Sequence, residues 1–104
     1  VWMAFYPLEK LHRLHDGYSN PFRIEGRDLL LVQSDGVPFV VENRCPHMDA
    51  PLTYASVTAG RIRCPLHGIE FDLKSGQGTC AKSLLSFPVI YDGNQLGVEL
   101  DPLT

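Results

Sequence analysis

Residues 28–42, DLLLVQSDGVPFVVE, set two short apolar runs on either side of an Asp-Gly pair. The runs are LLLV at 29–32 and VPFVV at 37–41, and both are of the length and composition typical of β-strands. Asp35-Gly36 favours a tight turn between them, because the two-residue hairpin turn needs positive φ angles that Asp and Gly tolerate. The stretch therefore predicts an antiparallel β-hairpin.

Short apolar runs and turn signals continue to alternate along most of the chain. The further runs are FRI at 22–24, RIRC at 61–64, IEFDL at 69–73, LSFPVIY at 85–91 and QLGVEL at 95–100. Asp92-Gly93 before the last run predicts a second hairpin. Many short strands with close turns indicate an all-β protein, a small antiparallel sandwich or barrel.

Two segments depart from this strand pattern. In the segment 8–14, leucines at positions 8, 11 and 14 predict one short turn or helix. The residues between 48 and 60 are rich in small and turn-forming types and predict a loop that something must anchor.

Size and charge narrow the class of protein. The chain has 104 residues, which predicts one domain over 1–104, and 44% of them are hydrophobic, as in ordinary globular proteins. The net charge is -3 and no Lys/Arg-rich run occurs, which argues against a nucleic-acid surface. The unbroken apolar runs, such as that at 29–32, are too short to cross a bilayer, and the start lacks the pattern of a signal peptide. We expect a cytoplasmic protein with no membrane partner.

Cysteines and histidines form two similar motifs, RCPH at 44–47 and RCPLHG at 63–68. Written as ligands, they are Cys45-x-His47 and, after sixteen intervening residues, Cys64-x-x-His67. Zinc modules more often pair like ligands within one knuckle, whereas here each motif holds one Cys and one His. This pairing suits a two-iron cluster in which two cysteines hold one iron and two histidines the other.

The chain resembles Rieske proteins, on CPHMDAPL at 45–52 and CPLHGIEFD at 64–72. The tail SGQGTCAKSLLSFPVIYDGNQLGVEL also resembles that family, so the likeness covers nearly the whole chain and is weakest before about residue 20. It implies a small Rieske-type fold with two cluster-binding loops, between about residues 43 and 73, at one tip. It also implies a [2Fe-2S] cluster held by Cys45, His47, Cys64 and His67.

The resemblance also implies a role. A chain of this size has room for the cluster domain alone, so we expect a Rieske-type ferredoxin and no enzyme activity of its own. Such a carrier would pass one electron at a time from an NAD(P)H-dependent flavoprotein reductase to a terminal oxygenase. Its contacts with both partners would be transient and centred on the His47/His67 tip, and we expect a monomer.

Two departures from the respiratory-chain branch of that family are informative. That branch carries an extra cysteine in each loop, forming a disulfide, where this chain has Ala50 and Leu66. It also carries a Ser and a Tyr that donate hydrogen bonds to cluster sulfurs, where this chain has Ile69 and Phe71. Because hydrogen bonds to sulfur stabilise the reduced cluster, their loss predicts a low reduction potential.

Two other functions remain open from the sequence. One is a small Rieske subunit of an assimilatory reductase such as nitrite reductase, which shares this fold. The other is a zinc-binding interaction module using the same four residues, which the red-brown colour of a Rieske protein would exclude.

Other polar and aromatic residues are assigned structural roles. His12 and His15 are expected to be surface histidines, and Cys80 a half-buried small residue near a turn. The acidic residues near the motifs, Asp49, Glu70 and Asp72, are expected to be solvated loop carboxylates. The aromatic residues expected to pack the β core are Phe39, Phe71, Phe87 and Tyr91.

Overall fold

The structure, a computed structural model, describes residues 3–46, 49–65, 68–80 and 82–100. Within these ranges the chain forms β-strands and one short 3₁₀ helix, Leu11–Arg13. No helix in the described residues is long and apolar enough to span a membrane. The strands are β1 Ala4–Lys10, β2 Ser19–Ile24, β3 Arg27–Ser34, β4 Val37–Glu42, β5 Ser56–Thr58, β6 Arg61–Arg63, β7 Glu70–Asp72, β8 Ser86–Phe87, β9 Ile90–Asp92 and β10 Gln95–Leu100.

The strands pair into three antiparallel sheets. The orders are β1-β10-β9, β2-β3-β4-β8 and β5-β6-β7. The predicted all-β class is confirmed, and the arrangement is a sandwich in which the four-stranded sheet lies between two smaller ones.

The central strand β3 separates two apolar cores. Alternate residues of a strand face opposite sides of its sheet. Leu29 and Leu31 accordingly pack with Val40, Leu96 and Val98 in one cluster, here called the sandwich core. On the other face of β3, Leu30 and Val32 pack in a second cluster, here called the site core. The other buried members of the site core are Val41, Cys45, Leu52, Ile62, Cys64, Phe71, Leu73 and Leu84.

Tight turns join consecutive strands at the places that the sequence marks. Asp35 and Gly36 have φ angles of 52° and 79° between β3 and β4, which confirms the first predicted hairpin and fits a type I′ turn. Glu25-Gly26 joins β2 to β3 in the same way. The predicted Asp92-Gly93 hairpin between β9 and β10 is also confirmed.

Three sequence expectations need correction. The short helix covers 11–13 only, because Leu8 belongs to β1, which pairs with β10. The expected loop at 48–60 contains β5, which pairs with β6 through an Ala59-Gly60 turn with φ angles of 52° and 76°. Tyr91 is 58% exposed on β9 and does not pack the core, whereas Phe71 is fully buried.

Candidate metal centre

Cys45 and Cys64 both follow strands that lead into the site core. Cys45 comes three residues after the end of β4, and Cys64 directly follows β6. Their exposed fractions are 0% and 1%, and both belong to the site core together with Leu52, Ile62 and Phe71. The structure therefore brings two buried thiols from distant parts of the sequence into one apolar environment.

The two cysteine loops have the same backbone hydrogen bonds. The N–H of Cys45 donates to the carbonyl of Ala50 at 2.7 Å, and the N–H of Asp49 donates to the carbonyl of Cys45 at 2.7 Å. In the second loop, the N–H of Cys64 donates to Ile69 at 2.8 Å and that of Gly68 donates to Cys64 at 3.0 Å. Each cysteine is thus bonded to the residues four and five positions later, although one motif is C-x-H and the other C-x-x-H.

A left-handed residue closes each loop at the fourth position after the cysteine. Asp49 has a φ of 57° and Gly68 a φ of 67°. Gly68 has a second constraint, because a Cβ there would lie 2.7 Å from Nη2 of Arg63. The backbone angle is what favours glycine in the second motif, because the exposed Arg63 guanidinium could shift to admit a Cβ.

Asn43 fastens the first loop to the four-stranded sheet. Its Oδ1 accepts the N–H of Leu52 at 2.7 Å, and its Nδ2 donates to Oγ1 of Thr53 at 2.8 Å. Its own N–H donates to the carbonyl of Asp28 at 2.8 Å. One half-buried amide therefore holds the segment after the first motif against the end of β4. The sequence analysis does not identify this anchor. The one signal for it is an Asn placed after an apolar strand and before a loop.

The second loop is fastened along β7. The N–H of Thr79 donates to the carbonyl of Glu70 at 2.9 Å, so residues 77–80 run beside the strand that follows the motif. Asp72 closes the next turn, since Oδ1 accepts the N–H of Lys74 at 2.8 Å and that of Ser75 at 3.0 Å. Hydrogen bonds from Ser75 and Lys74 hold the pKa of the Asp72 carboxyl below its usual value.

Of the acidic residues expected to be solvated loop carboxylates, Asp49 is exposed in the first loop, whereas Glu70 and Asp72 are half-buried on β7. Asp49 lies 3.6 Å from Nε of Arg44, whose Nη2 also lies 3.3 Å from Glu42. Glu70 lies 3.9 Å from Arg61. Cys80 is half-buried, and its thiol lies 3.6 Å from the carbonyl of Lys82.

His47 and His67 lie outside the described residues, as does Leu66. Within the described ranges, Cys45 and Cys64 share the site core, and no group of three or more metal-ligating side chains is found. His12 and His15 are exposed, as predicted, and His15 packs edge-on against Tyr18 with ring centroids 5.9 Å apart.

Ile69 and Phe71 are both apolar neighbours of the cysteines. Phe71 is fully buried in the site core and Ile69 packs against it. The Phe71 ring is tightly enclosed, because a Cβ on Gly78 would lie 2.5 Å from its Cε1. Neither side chain can donate a hydrogen bond to sulfur.

The Rieske [2Fe-2S] domain family matches residues 4–88 of the chain. The chain is 27% identical over 93 residues to the ferredoxin component of the naphthalene 1,2-dioxygenase system of Pseudomonas aeruginosa, covering 86% of this chain and 89% of that protein. It also matches much longer proteins, such as the chloroplastic chlorophyllide a oxygenase of Chlamydomonas reinhardtii, of whose length it spans 12%.

Solved structures of similar fold include the ferredoxin of carbazole 1,9a-dioxygenase from Nocardioides aromaticivorans. That match has a TM-score of 0.80 and 25% identity, covering 90% of this chain and 95% of that one. A nitrite reductase NADPH small subunit matches with a TM-score of 0.75 and 25% identity, covering 91% and 97%. A ferredoxin of the same fold has been solved in complex with its carbazole oxygenase, with a TM-score of 0.80 at 20% identity, covering 88% and 97%.

Replacing Asn43 with Ala should weaken the first loop. The change removes two hydrogen bonds and leaves the N–H of Leu52 without its acceptor, which costs about 1–3 kcal/mol of unfolding free energy. Chemical denaturation of the metal-loaded protein measures this loss. Asn20→Ala is the matched control, because the Asn20 side chain is exposed and contacts only the neighbouring carbonyl at 3.4 Å. Equal stability of the two variants would contradict the anchoring role.

Proposed function

The chain belongs to the Rieske [2Fe-2S] domain family, whose cofactor is a Rieske-type [2Fe-2S] cluster, and on that premise we propose that it is the electron-carrying ferredoxin of an oxygenase system. The observation that carries this proposal is the pair of buried cysteines on two loops with the same hydrogen bonds. The similarity to the naphthalene dioxygenase ferredoxin over most of both chains supports the carrier role.

We propose Cys45, His47, Cys64 and His67 as the cluster ligands. The described donors fit such a centre, because two thiols lie at 0% and 1% exposure within one apolar cluster. His47 and His67 each follow one of these cysteines within the same short motif, so each loop would supply one sulfur and one nitrogen. When bound, the cluster supplies one-electron transfer.

The protein's own residues give the site its surroundings. The site core excludes water from the cysteine side, which disfavours the more highly charged, reduced state of a cluster. Ile69 and Phe71 add apolar surface and no donors. We therefore propose a potential near the lower end of the Rieske range.

The proposed partners are an NAD(P)H-dependent flavoprotein reductase and a terminal oxygenase, which would make transient contacts at the His47/His67 tip. The solved complex of a ferredoxin of this fold with an oxygenase supports the second partner. The proposal includes a single domain, with cluster loops between about 43 and 73, that acts as a cytoplasmic monomer without enzyme activity. The single domain is supported by β3, which contributes residues to both cores.

A small subunit of an assimilatory nitrite reductase is a second candidate. The structural similarity to such a subunit, at a TM-score of 0.75, favours it enough to test. Transfer of electrons to an oxygenase, rather than support of nitrite reduction, distinguishes the two. The family match implies an iron–sulfur cluster, which argues against a zinc-binding interaction module.

The ligand assignment predicts that His47→Ala and His67→Ala each abolish the visible spectrum of the cluster. The loops should also lose stability, because a bound metal centre stabilises the fold that presents its ligands. Absorption and circular dichroism spectra of the purified variants measure both effects. His12→Ala is the control, since His12 is an exposed residue of the 3₁₀ helix. A two-iron spectrum of normal intensity in either ligand variant would disprove the assignment.

The carrier role predicts uptake of one electron per cluster and no substrate turnover by the isolated protein. Reductive titration should follow a one-electron curve with a midpoint near the lower limit of the Rieske range, about −150 mV. Addition of a reductase and an oxygenase should restore turnover that depends on this protein. Sustained substrate oxidation by the protein alone would instead indicate an enzyme.

Phe71→Tyr should raise the midpoint potential if the added hydroxyl reaches a cluster sulfur. A charge-assisted hydrogen bond contributes about 1.5–3 kcal/mol, and only its difference between the redox states counts, so we expect a rise of about 30–60 mV. Phe22→Tyr is the control, because Phe22 packs against the sandwich core on the opposite side of β3. A crystal structure locates the hydroxyl, and an unchanged potential with the hydroxyl on sulfur would refute the explanation.

A further inference from the structure

The outer face of the β5-β6-β7 sheet carries a polar cleft beside the second cysteine loop. The cleft has a volume of about 200 Å³ and is lined by Ser56, Thr58, Arg61, Arg63 and Glu70. Ser56 pairs with Arg63 in the strand register, and Arg63 directly precedes Cys64. The cleft therefore lies at the end of the sheet from which the chain enters the proposed cluster site.

Arg63 differs from the equivalent arginine of the first loop. Arg44 and Arg63 each precede a cysteine, and each reaches the residue four positions after that cysteine. Arg44 meets the carboxylate of Asp49 there and also pairs with Glu42. Arg63 meets Gly68, and it has no carboxylate within ion-pair distance in the described part of the chain.

The carboxylates on the same face are already engaged. Glu70 lies opposite Arg63 in the register, but its closest cation is Arg61, at 3.9 Å. Asp72 lies opposite Arg61 and accepts two backbone N–H groups of its own turn. An exposed guanidinium with no ion-pair partner among these residues is thus left beside the site.

Tyr54 extends this face toward the cysteine loops. Ala55 and Val57 pack against the site core, so Ser56 between them points outward, and Tyr54 lies in the turn two residues before Ser56. Tyr54 is 93% exposed, yet its turn is held by the Leu52–Ala55 hydrogen bond of 3.0 Å and by Asn43. A large aromatic side chain on an anchored turn loses little backbone entropy when a partner covers it.

We propose that this face, with Tyr54 and Arg63 as its anchors, is the docking surface for an acidic patch on the protein that exchanges electrons with the cluster. The inference rests on the proposed carrier function. Arg63 would receive a partner carboxylate, with the Ser56 hydroxyl beside it, and Tyr54 would pack against the partner. Tyr and Arg are the residue types that most often dominate binding energy at interfaces. Because the whole chain carries a net charge of -3, Arg63 is a local positive site on a mostly acidic surface and would orient an acidic patch toward itself.

Two small oxidants of opposite charge test the role of Arg63. The cluster-loaded, reduced protein is mixed at low ionic strength with ferricyanide, an anion, or with tris(1,10-phenanthroline)cobalt(III), a cation. We expect Arg63→Gln to slow oxidation by ferricyanide and to speed oxidation by the cobalt complex, each by about twofold or more, with the difference lost at high salt. A change in potential would move both rates in the same direction, so opposite changes report local charge.

Arg23→Gln is the matched control for net charge. Arg23 is an exposed arginine of β2, paired with Asp28 at 2.9 Å and outside the cleft, and its replacement should leave both rates unchanged. Equal effects of the two variants, no effect of Arg63→Gln, or parallel changes with both oxidants would each overturn the proposal.

The second test uses the reductase and oxygenase components of the Pseudomonas aeruginosa naphthalene 1,2-dioxygenase system, whose ferredoxin is a relative. With a component that exchanges electrons with the wild type, Tyr54→Ser should lower the second-order rate constant at least about fivefold. Tyr91→Ser, at an exposed tyrosine of another sheet, should not. Equal rates for Tyr54→Ser and wild type would overturn the role of Tyr54. A wild type that exchanges electrons with neither component counts against the carrier function, while the small-oxidant test still decides on Arg63.

Discussion

Burial of β3 on both faces is the constraint on which the rest of the structure depends. A strand with apolar residues at four consecutive positions, 29–32, cannot leave either face in water without exposing two large side chains. One face is covered by β1 and β10, and the other by the β5-β6-β7 sheet and the cysteine loops. The loops that carry the cysteines are therefore part of the covering of a core, and apolar packing helps to position them.

The fold could be predicted in outline because its signals are local. Two-residue turns, at Asp35-Gly36 and at Gly93-Asn94, close the two hairpins that the Asp-Gly pairs predict. The short strand β5 has no such local signal, because SVT contains no apolar run. Its turn also uses Ala59 at a φ of 52°, an angle that alanine seldom adopts. Leucines three residues apart fit a helical turn, but the pairing of β1 with β10 places Leu8 in a strand.

For the candidate site, residue types within each short motif could be predicted, whereas contacts between segments far apart in the sequence could not. The motifs predicted which residue types would come together, and the burial of Cys45 and Cys64 in one core agrees with this. An Asn after an apolar strand is a weak signal, and it does not identify Leu52 and Thr53 as the partners of Asn43, because such contacts depend on how two segments meet in space. The same holds for Arg63, whose lack of an ion-pair partner within the described ranges becomes visible only beside the paired Arg44.

The hydrogen bonds that fasten the first loop determine which chemical conditions it tolerates. Ala50 occupies a position where the respiratory-chain branch has a disulfide cysteine, and here an amide side chain ties the loop to the sheet. A covalent sulfur–sulfur link breaks when thiol reductants are abundant, whereas an amide hydrogen bond does not respond to them. The loop geometry is thus independent of the thiol–disulfide balance of its surroundings. A redox protein built in this way can change its own electron count without the state of the surrounding thiols altering the frame that holds it.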